Sequence, residues 1–531
     1  MSYSYLHDVE VSDANRHKYP PTWPGRSKRA AIDERSTADQ IPELAPPNPS
    51  FNLPYDSGRR RLVLCGLVFA LVTGSAFIIT GIFIHATSTS FVIIGLTRWE
   101  DIALGLSFNA LVTVCSEVTG YVHGTTLKWG LAKEGRLRFN ANLRLFSATE
   151  GTLSVNGPVV SVIFTISIIF SYAASSTVFL HGQIFADIAS SSPSVISFFP
   201  PIVLGVTLVL QAALGLIAFF NTHVLTWSSS PLDVTSALIH HGYIHHRSKR
   251  CMRSVSKTNV LSTDPIRPLS RQPSAWSSHK TVPRVVWFVW SSLVVWTGWF
   301  LIFLYVELPN SLRFHNDVTP LGPLVLGLLF LAAVQAVVTI VLHCCELVTT
   351  LARDELVWRA ASTGRGVRPA GNPLMVVLRS WQSIILLLAK PAIHWFFGMI
   401  VGVDASFGFG VNGLDLFFLP VLFLVAVFIT VVAVLRPSGP QPVAYGHIQT
   451  LADLVDEWST TMYWGIRRTA GRGRGRLVTP GRPKMGLYLQ SGWRGSTHDV
   501  RMMHVSHYCV DFRPVGSVQF VDAGIHRLMQ V

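Results

Sequence analysis

Charged side chains are scarce in this sequence of 531 residues. Only 14% of the residues are Asp, Glu, Lys or Arg, whereas a soluble chain of ordinary composition carries about 25%. Hydrophobic residues make up 49% of the chain. Acidic residues are the scarcer kind, 29 against 43 basic ones, which leaves a net charge of +14. This composition excludes an ordinary soluble protein and indicates a chain that places much of its apolar surface in lipid.

Cysteines and catalytic motifs are also few. None of the six cysteines falls in a segment expected outside the cell, so no disulfide framework is predicted. The sequence has no Ser-His-Asp order, Walker loop, zinc-protease helix or paired carboxylates in a setting that could use them. We therefore expect a protein that is not an enzyme, without a cofactor and without a metal site.

Long hydrophobic runs are what the sequence has in abundance. The first run, residues 62–84, contains no ionisable side chain. At about 1.5 Å per residue it covers a hydrocarbon core of about 30 Å. Backbone N–H and C=O groups in lipid must form their hydrogen bonds within the segment, so each run should be helical. We predict an all-α polytopic membrane helical bundle, residues 59–436, with eight transmembrane helices at about 62–84, 102–121, 159–180, 202–220, 285–306, 324–342, 381–403 and 416–435.

The basic residues alternate along the polar segments that separate these runs. The odd-numbered segments hold 9, 5, 9, 5 and 12 Lys and Arg residues, and the even-numbered ones hold 1, 0, 1 and 0. Basic residues collect on the cytosolic side of membrane proteins. The alternation therefore predicts that all eight runs cross and that both the N- and C-termini are cytosolic.

Four cytosolic segments are expected outside the bundle. Residues 1–58 and the basic residues 466–531 have the composition of disordered tails, and residues 222–284 form a basic loop. Residues 437–465 form an amphipathic segment, since Leu451, Leu454, Val455, Trp458 and Met462 share one helical face. Because the positive charge flanks the membrane, the expected partners are the lipid bilayer and its anionic cytosolic lipid surface, not nucleic acid. Cytosolic protein partners are an open alternative.

Lys390, in the seventh run, is the most informative single residue. A lysine near the bilayer centre costs roughly 2.5–3.5 kcal/mol, so it should face the bundle and have a partner. His394 lies one turn away on the same face, and Glu117 and Glu346 are the available carboxylates. We predict that Glu117 and Lys390 pair inside the bundle. The pair could line a substrate or ion path together with His394, or it could simply lock two helices together.

Two further patterns have alternative interpretations. Cys344 and Cys345 lie at the cytosolic end of the sixth run, where cysteines can be palmitoylated or can be packed unmodified in the helix end. In the first run, small residues recur near four-residue spacing (Gly66, Ala70, Gly74 and Gly81). Such a stripe lets helices approach closely, either within the bundle or at a dimer face. We expect packing within the bundle.

Three stretches of the sequence carry a family resemblance: residues 125–146 (TTLKWGLAKEGRLRFNANLRLF), 390–398 (KPAIHWFFG) and 439–465 (GPQPVAYGHIQTLADLVDEWSTTMYWG). Together they resemble a family of uncharacterised multi-pass membrane proteins of filamentous fungi, over about residues 60–465. The resemblance implies a fungal source and an integral membrane protein, and it implies no activity.

Two function classes follow from these observations. The first is a non-enzymatic membrane organiser or partner-binding protein that uses the basic loop, the amphipathic segment and the tails. The alternative is a transporter or channel with a polar path around Glu117, Lys390 and His394. The expected location is the plasma membrane or another membrane of the secretory pathway. A polar space reaching Lys390 would favour transport, and solid packing around it would favour the organiser.

Overall fold

The computed structural model describes residues 56–87, 91–94, 97–181, 194–247, 253–257, 269–305, 311–313, 321–363, 366–367, 373–403, 408–411, 415–455, 458, 461–467 and 484–489. Nearly all of the predicted N-terminal tail, and the C-terminal tail beyond residue 489, lie outside the described residues.

The described chain is predominantly helical. Its α-helices are α1 (Ser57–Thr87), α2 (Arg98–Lys133), α3 (Pro158–Thr177), α4 (Phe199–Asn221), α5 (Pro231–His240), α6 (Ala275–Ser278), α7 (Thr281–Tyr305), α8 (Leu321–Arg359), α9 (Pro373–Leu378), α10 (Trp381–Ile400), α11 (Asp415–Val434) and α12 (Ile448–Leu454). The predicted fold class, an all-α polytopic helical protein, is confirmed.

Six helical segments of the described chain are long and apolar enough to cross a membrane: Ser57–Thr87, Ile102–Lys133, Pro158–Thr177, Phe199–Asn221, Leu324–Ser362 and Trp381–Met399. They coincide with six of the predicted runs. The other two runs also coincide with helices, since α7 lies over the fifth and α11 over the eighth. Within α11, the described apolar part is the shorter Phe418–Val434.

Local sequence signals set several helix starts. Thr97 and Glu100 form a reciprocal capping box at the start of α2, which satisfies two backbone N–H groups that a helix start leaves free. Proline stands in the first turn of α3, α4 and α5, where its missing N–H costs nothing.

Glycines allow α1 to pack tightly against its neighbours. A Cβ added at Gly74 would lie 2.9 Å from the carbonyl oxygen of Gly205 in α4, and one at Gly205 would collide with the carbonyl of Gly74. A Cβ at Gly66 would meet Val118 of α2, and one at Gly81 would meet α4 again. The small-residue stripe of the first run therefore serves packing inside the bundle, as predicted.

Two small antiparallel sheets, which the sequence analysis did not predict, connect the helices at one end of the bundle. The first has the order β1-β3-β2 and the second β4-β6-β5. Their strands are β1 (Phe91–Ile94), β2 (Phe179–His181), β3 (Ser194–Ser197), β4 (Ser311–Arg313), β5 (Val401–Val403) and β6 (Gly408–Val411). Phe91 is paired with Ser197, and Leu312 with Phe409.

The opposite end of the bundle carries a folded layer, called the end layer below. It consists of residues 125–157, 222–247, 253–257, 269–280, 347–363 and 437–455. At about 1.5 Å per residue, α2 and α8 are roughly 54 and 58 Å long, well beyond a hydrocarbon core of about 30 Å. Their surplus turns therefore extend into this layer, and two hydrophobic clusters of buried side chains hold its segments together. The predicted basic loop, 222–284, supplies α5 and α6 to it.

Two stretches near the C-terminus form a strand pair. Strand β7 (Met462–Arg467) pairs antiparallel with β8 (Lys484–Leu489), with Met462 opposite Leu489. Strand β8 and the last two residues of β7 fall in the segment predicted to be a disordered tail, 466–531, and the remainder of that segment lies outside the described residues.

Candidate functional site

Helix α2 turns a stripe of polar side chains into the bundle. Asn109, Thr113 and Glu117 follow one another at four-residue spacing, which places them on one helical face. Asn109 and Thr113 are buried, while Leu104 and Val114 on other faces of the helix are exposed. The polar face of α2 is therefore the inward face and its apolar surface is left for lipid.

Three other helices turn polar side chains toward the same interior. We call the resulting set of buried and half-buried side chains the polar seam. Its members are Asn109, Thr113 and Glu117 of α2, Tyr172, Ser175 and Ser176 of α3, Gln335, His343 and Glu346 of α8, and Lys390 and His394 of α10.

Direct hydrogen bonds connect helices along the part of the seam nearer the sheets. The hydroxyl of Ser175 donates to Asn109 Oδ1 at 3.1 Å, and Tyr172 donates to the hydroxyl of Thr113 at 3.3 Å. The amide of Gln335 donates to Ser176 Oγ at 3.5 Å. These contacts join α2 to α3 and α3 to α8 through polar atoms in a membrane-spanning region.

His394 lies at the centre of the seam and is fully buried. Its ring stacks on Tyr172 with centroids 3.6 Å apart and an angle of 10° between the planes. Its Nδ1 lies 3.1 Å from the amide nitrogen of Gln335. The other ring nitrogen, Nε2, and Gln335 Oε1 are both buried without a hydrogen-bond partner among the described residues.

Lys390 joins α10 to two other helices. Its ammonium contacts the carboxylates of Glu117 in α2 and Glu346 in α8. The predicted pairing of Glu117 with Lys390 is therefore present. Glu346, which the sequence offered as the other available carboxylate, shares the same ammonium.

Two residues that the sequence analysis did not single out complete this group. Arg144 Nη2 lies 3.0 Å from Glu346 Oε1 and 3.9 Å from Glu117 Oε1. His343 Nδ1 lies 2.7 Å from Glu346 Oε1 and 2.8 Å from Arg144 Nη2. We call these five residues the charged cluster. The spacing of Gln335, His343 and Glu346 along one face of α8 could have revealed His343, but Arg144 comes from a loop whose path the sequence does not show.

Gly120 makes room for Arg144. The guanidinium crosses α2 at Gly120, where an added Cβ would collide with it, whereas at Gly124 the nearest atom is Arg144 Cδ at 3.9 Å. The loop between α2 and α3 thus inserts one basic side chain into the end of the bundle, between α2 and α8.

The charges of the cluster balance. Two carboxylates face one ammonium and one guanidinium, so the sum is zero when His343 is neutral. The side chain of Lys390 is 3% exposed, but those of Glu117 and Glu346 keep 27% and 22% of their surface exposed. The two carboxylates are therefore half-buried, whereas the ammonium between them is buried.

The cluster also has the composition of a metal site. Ligand atoms of Glu117, His343 and Glu346 lie within 4.8 Å of one another. The same two carboxylates, however, already contact Lys390 and Arg144, whose positive charges take the place of a cation. We therefore assign no metal ion to the cluster.

A second polar network continues from the cluster into the end layer along α8. Asn140 donates to Asp354 Oδ2 at 2.8 Å and accepts from Lys128 Nζ at 2.7 Å. Glu355 Oε2 accepts the backbone N–H groups of Ala444 and Tyr445, each at 2.9 Å. Helix α8 therefore connects the charged cluster to the segment that follows α11.

The apolar face of the predicted amphipathic segment is used inside the protein. Leu451, Leu454 and Val455 are buried in the hydrophobic cluster that contains Trp358 of α8. Asp453 is also buried, and its two carboxylate oxygens accept hydrogen bonds from the guanidinium of Arg247. The segment is thus part of the end layer, and α8 covers its apolar face. The predicted helical face does not extend to Met462, because α12 ends at Leu454 and Met462 lies in β7.

Cys344 and Cys345 are both buried in α8 within the main hydrophobic core. An acyl chain on either sulfur needs a position facing lipid or solvent. The structure therefore supports the alternative of unmodified cysteines packed in the helix.

The three stretches that carry the family resemblance all meet α8. The first supplies Asn140 and Arg144, the second supplies Lys390 and His394, and the third supplies the turn held by Glu355. Comparison of the chain with protein-family models, with curated proteins and with solved structures finds no match. The helices themselves define the class: this is an integral membrane protein with a polar interior.

Proposed function

We propose that this protein is a transporter or channel whose path runs along the polar seam between α2, α3, α8 and α10. In this proposal eight helices cross the plasma membrane or another membrane of the secretory pathway. The end layer and both termini lie in the cytosol, as the alternation of basic residues supports. Membership of the fungal membrane-protein family is part of the same proposal.

The convergence of four polar helix faces carries this proposal. Polar and ionisable groups inside a membrane are costly, and they commonly mark substrate and ion pathways. Here four separate helices place polar side chains at the same position in the bundle, and each does so at this free-energy cost. A bundle that needed only packing could use the small-residue contacts seen between α1 and α4.

The exposed fractions of the two carboxylates support the same function. The side chains of Glu117 and Glu346 are 27% and 22% exposed, although their partners Lys390 and His343 are buried. A transport site needs contact with water on at least one side, and in this proposal these two side chains make that contact.

A membrane organiser is the second candidate function. The observation that favours it is the closure of the site, because Lys390 is only 3% exposed and the charges of the cluster balance. Surface basic residues of the end layer would then bind anionic lipid or a cytosolic protein.

Flux into liposomes tests transport against the organiser. The full chain is reconstituted, and osmotic swelling is followed by light scattering with a panel of salts, amino acids and sugars, while a potential-sensitive dye reports ion flux. We expect flux for at least one compound or ion, and at least a tenfold loss in Lys390→Met.

The matched control is Ser292→Ala. Ser292 is also buried, but it lies in α7, outside the seam, and within the described part of the chain its hydroxyl donates only to the carbonyl of Val289 in its own helix. This variant should keep full flux. Folded wild-type protein that moves none of the compounds or ions would contradict the proposal and leave the organiser.

A further inference from the structure

We infer that the species moving along the polar seam is the proton. This inference rests on the proposed transport function and names its substrate.

The seam is filled by polar side chains in direct contact. Ser175 contacts Asn109 at 3.1 Å and Gln335 contacts His394 at 3.1 Å, while Lys390 touches both carboxylates. A solute needs a cavity of its own size, whereas a proton moves by exchange between neighbouring donors and acceptors. Side chains packed at hydrogen-bond distance are therefore suited to the proton and exclude a larger substrate in this conformation.

The two buried histidines have the form of relay groups. Each has Nδ1 in a polar contact, with Gln335 for His394 and with Glu346 for His343. Each leaves Nε2 buried without a partner among the described residues. A neutral imidazole accepts a proton at its unprotonated nitrogen and releases one from the other. Histidines that only stabilised the bundle would be expected to have both nitrogens satisfied.

One transfer can be written with its charges balanced. A proton from the end-layer side forms an O–H bond at Glu117, and the cluster gains one positive charge. Lys390 then loses one N–H proton to the unprotonated nitrogen of His394, which lies one helical turn along α10 on the same face. His394, now an imidazolium, releases the proton of its other nitrogen toward the sheet end, and a half-turn of the ring restores its starting tautomer. Glu117 passes its proton to the neutral amine of Lys390, which restores carboxylate and ammonium.

Proton flux into liposomes tests the inference. The full chain is reconstituted with a pH-sensitive dye inside, and a potassium gradient with valinomycin imposes a negative interior. We expect the interior to acidify in proportion to the protein reconstituted. His394→Phe keeps a ring to stack on Tyr172 but cannot exchange a proton, and it should lower the rate at least tenfold. Ser292→Ala should match wild type.

Each outcome separates the inference from the function. Flux of a solute or another ion without proton flux would overturn the inference and leave transport standing. Proton flux that is unchanged in His394→Phe and in Lys390→Met would place the path elsewhere and overturn it too. Monodisperse elution and an unfolding midpoint above the assay temperature for each variant show that a lost flux is not lost folding. If His394→Phe fails these checks, His394→Gln replaces it, since a Gln cannot be protonated at these pH values, with the same loss expected.

Discussion

The ammonium of Lys390 in α10 lies against the carboxylate of Glu117 in α2, although 273 residues separate them in the chain. Glu346 of α8 contacts the same ammonium. One lysine therefore ties three helices together at the place where the bundle is most polar. The seam, the end layer and the loop that carries Arg144 all meet near this contact.

Removing Lys390 should cost more stability than removing Glu117. Lys390→Met leaves two carboxylates with only Arg144, and breaking a buried pair costs about 3–5 kcal/mol. Glu117→Gln costs less, because Lys390 keeps Glu346. The double variant restores the charge balance and should recover part of the loss. Denaturant unfolding in micelles gives the three free energies, and strict additivity of the single changes would show that the pair is not coupled.

Gly120→Ala should displace Arg144, whereas Gly124→Ala should not. The added methyl at Gly120 collides with the guanidinium, but at Gly124 it finds only ordinary contact. We expect Gly120→Ala to lower transport at least fivefold and Gly124→Ala to leave it near wild type. Liposome flux measures both. Equal flux in the two variants would show that the position of Arg144 does not matter to the path.

Gly205→Val should destabilise the bundle. The valine side chain must push α4 away from the backbone of Gly74, and overpacking of this kind costs about 1–3 kcal/mol. Gly298→Ala in α7 is the control, since no atom lies within 4 Å of the added methyl. Thermal unfolding in detergent should show a lower midpoint for Gly205→Val alone. A midpoint equal to that of the control contradicts the close contact of α1 and α4.

The end layer should lose stability in acid. Burial lowers the pKa of His447 to about 3 and that of His279 to about 4. Their rings flank Phe139, and the Nδ1 atoms accept backbone N–H groups at the starts of α12 and α7. The folded state thus binds fewer protons than the unfolded state, whose histidines titrate near 6.5.

The sign of the pH effect follows. The free energy of unfolding is highest above pH 6.5 and falls as the pH drops below 6.5. It goes on falling until about pH 4 for His279 and about pH 3 for His447, in total by on the order of a few kcal/mol. His447→Asn keeps a cap acceptor that does not titrate, so its unfolding midpoint should vary less between pH 7 and pH 5. Parallel pH profiles of variant and wild type would be the contrary result.

Cys344 and Cys345 should carry no acyl chain. Both are buried in the core of the bundle, whereas Cys65 of α1 is exposed. Acyl–biotin exchange labels cysteines that carry an acyl chain. The signal from the full chain should therefore be equal in the wild type and in the Cys344→Ser, Cys345→Ser double variant. A signal lost in that variant would mean that α8 presents these sulfurs to the membrane.

The sequence predicted the helices well and the site in part. An apolar run without charged residues is sufficient to predict a membrane helix. The all-α fold class therefore followed from the composition and the spacing of these runs. Lys390 and Glu117 were found because an ionisable residue in such a run is exceptional. His343 lies in the continuation of a helix, where a histidine is unremarkable, and Arg144 lies in a loop, where an arginine is ordinary. Only its spacing from Gln335 and Glu346 along α8 distinguishes His343, and nothing in the local sequence distinguishes Arg144.

The sequence by itself determined which segments are helical and apolar, because backbone satisfaction in lipid acts within each segment. It also identified the one lysine that needs a partner, because the cost of an unpaired charge does not depend on the neighbouring helices. Only the tertiary structure decided which side chains meet. It placed the carboxylate of Glu346 beside Lys390 and the guanidinium of Arg144 against Gly120. It also covered the apolar face of the amphipathic segment with α8. These outcomes depend on contacts between residues far apart in the chain, which pack by shape and charge and leave no periodic pattern in the sequence.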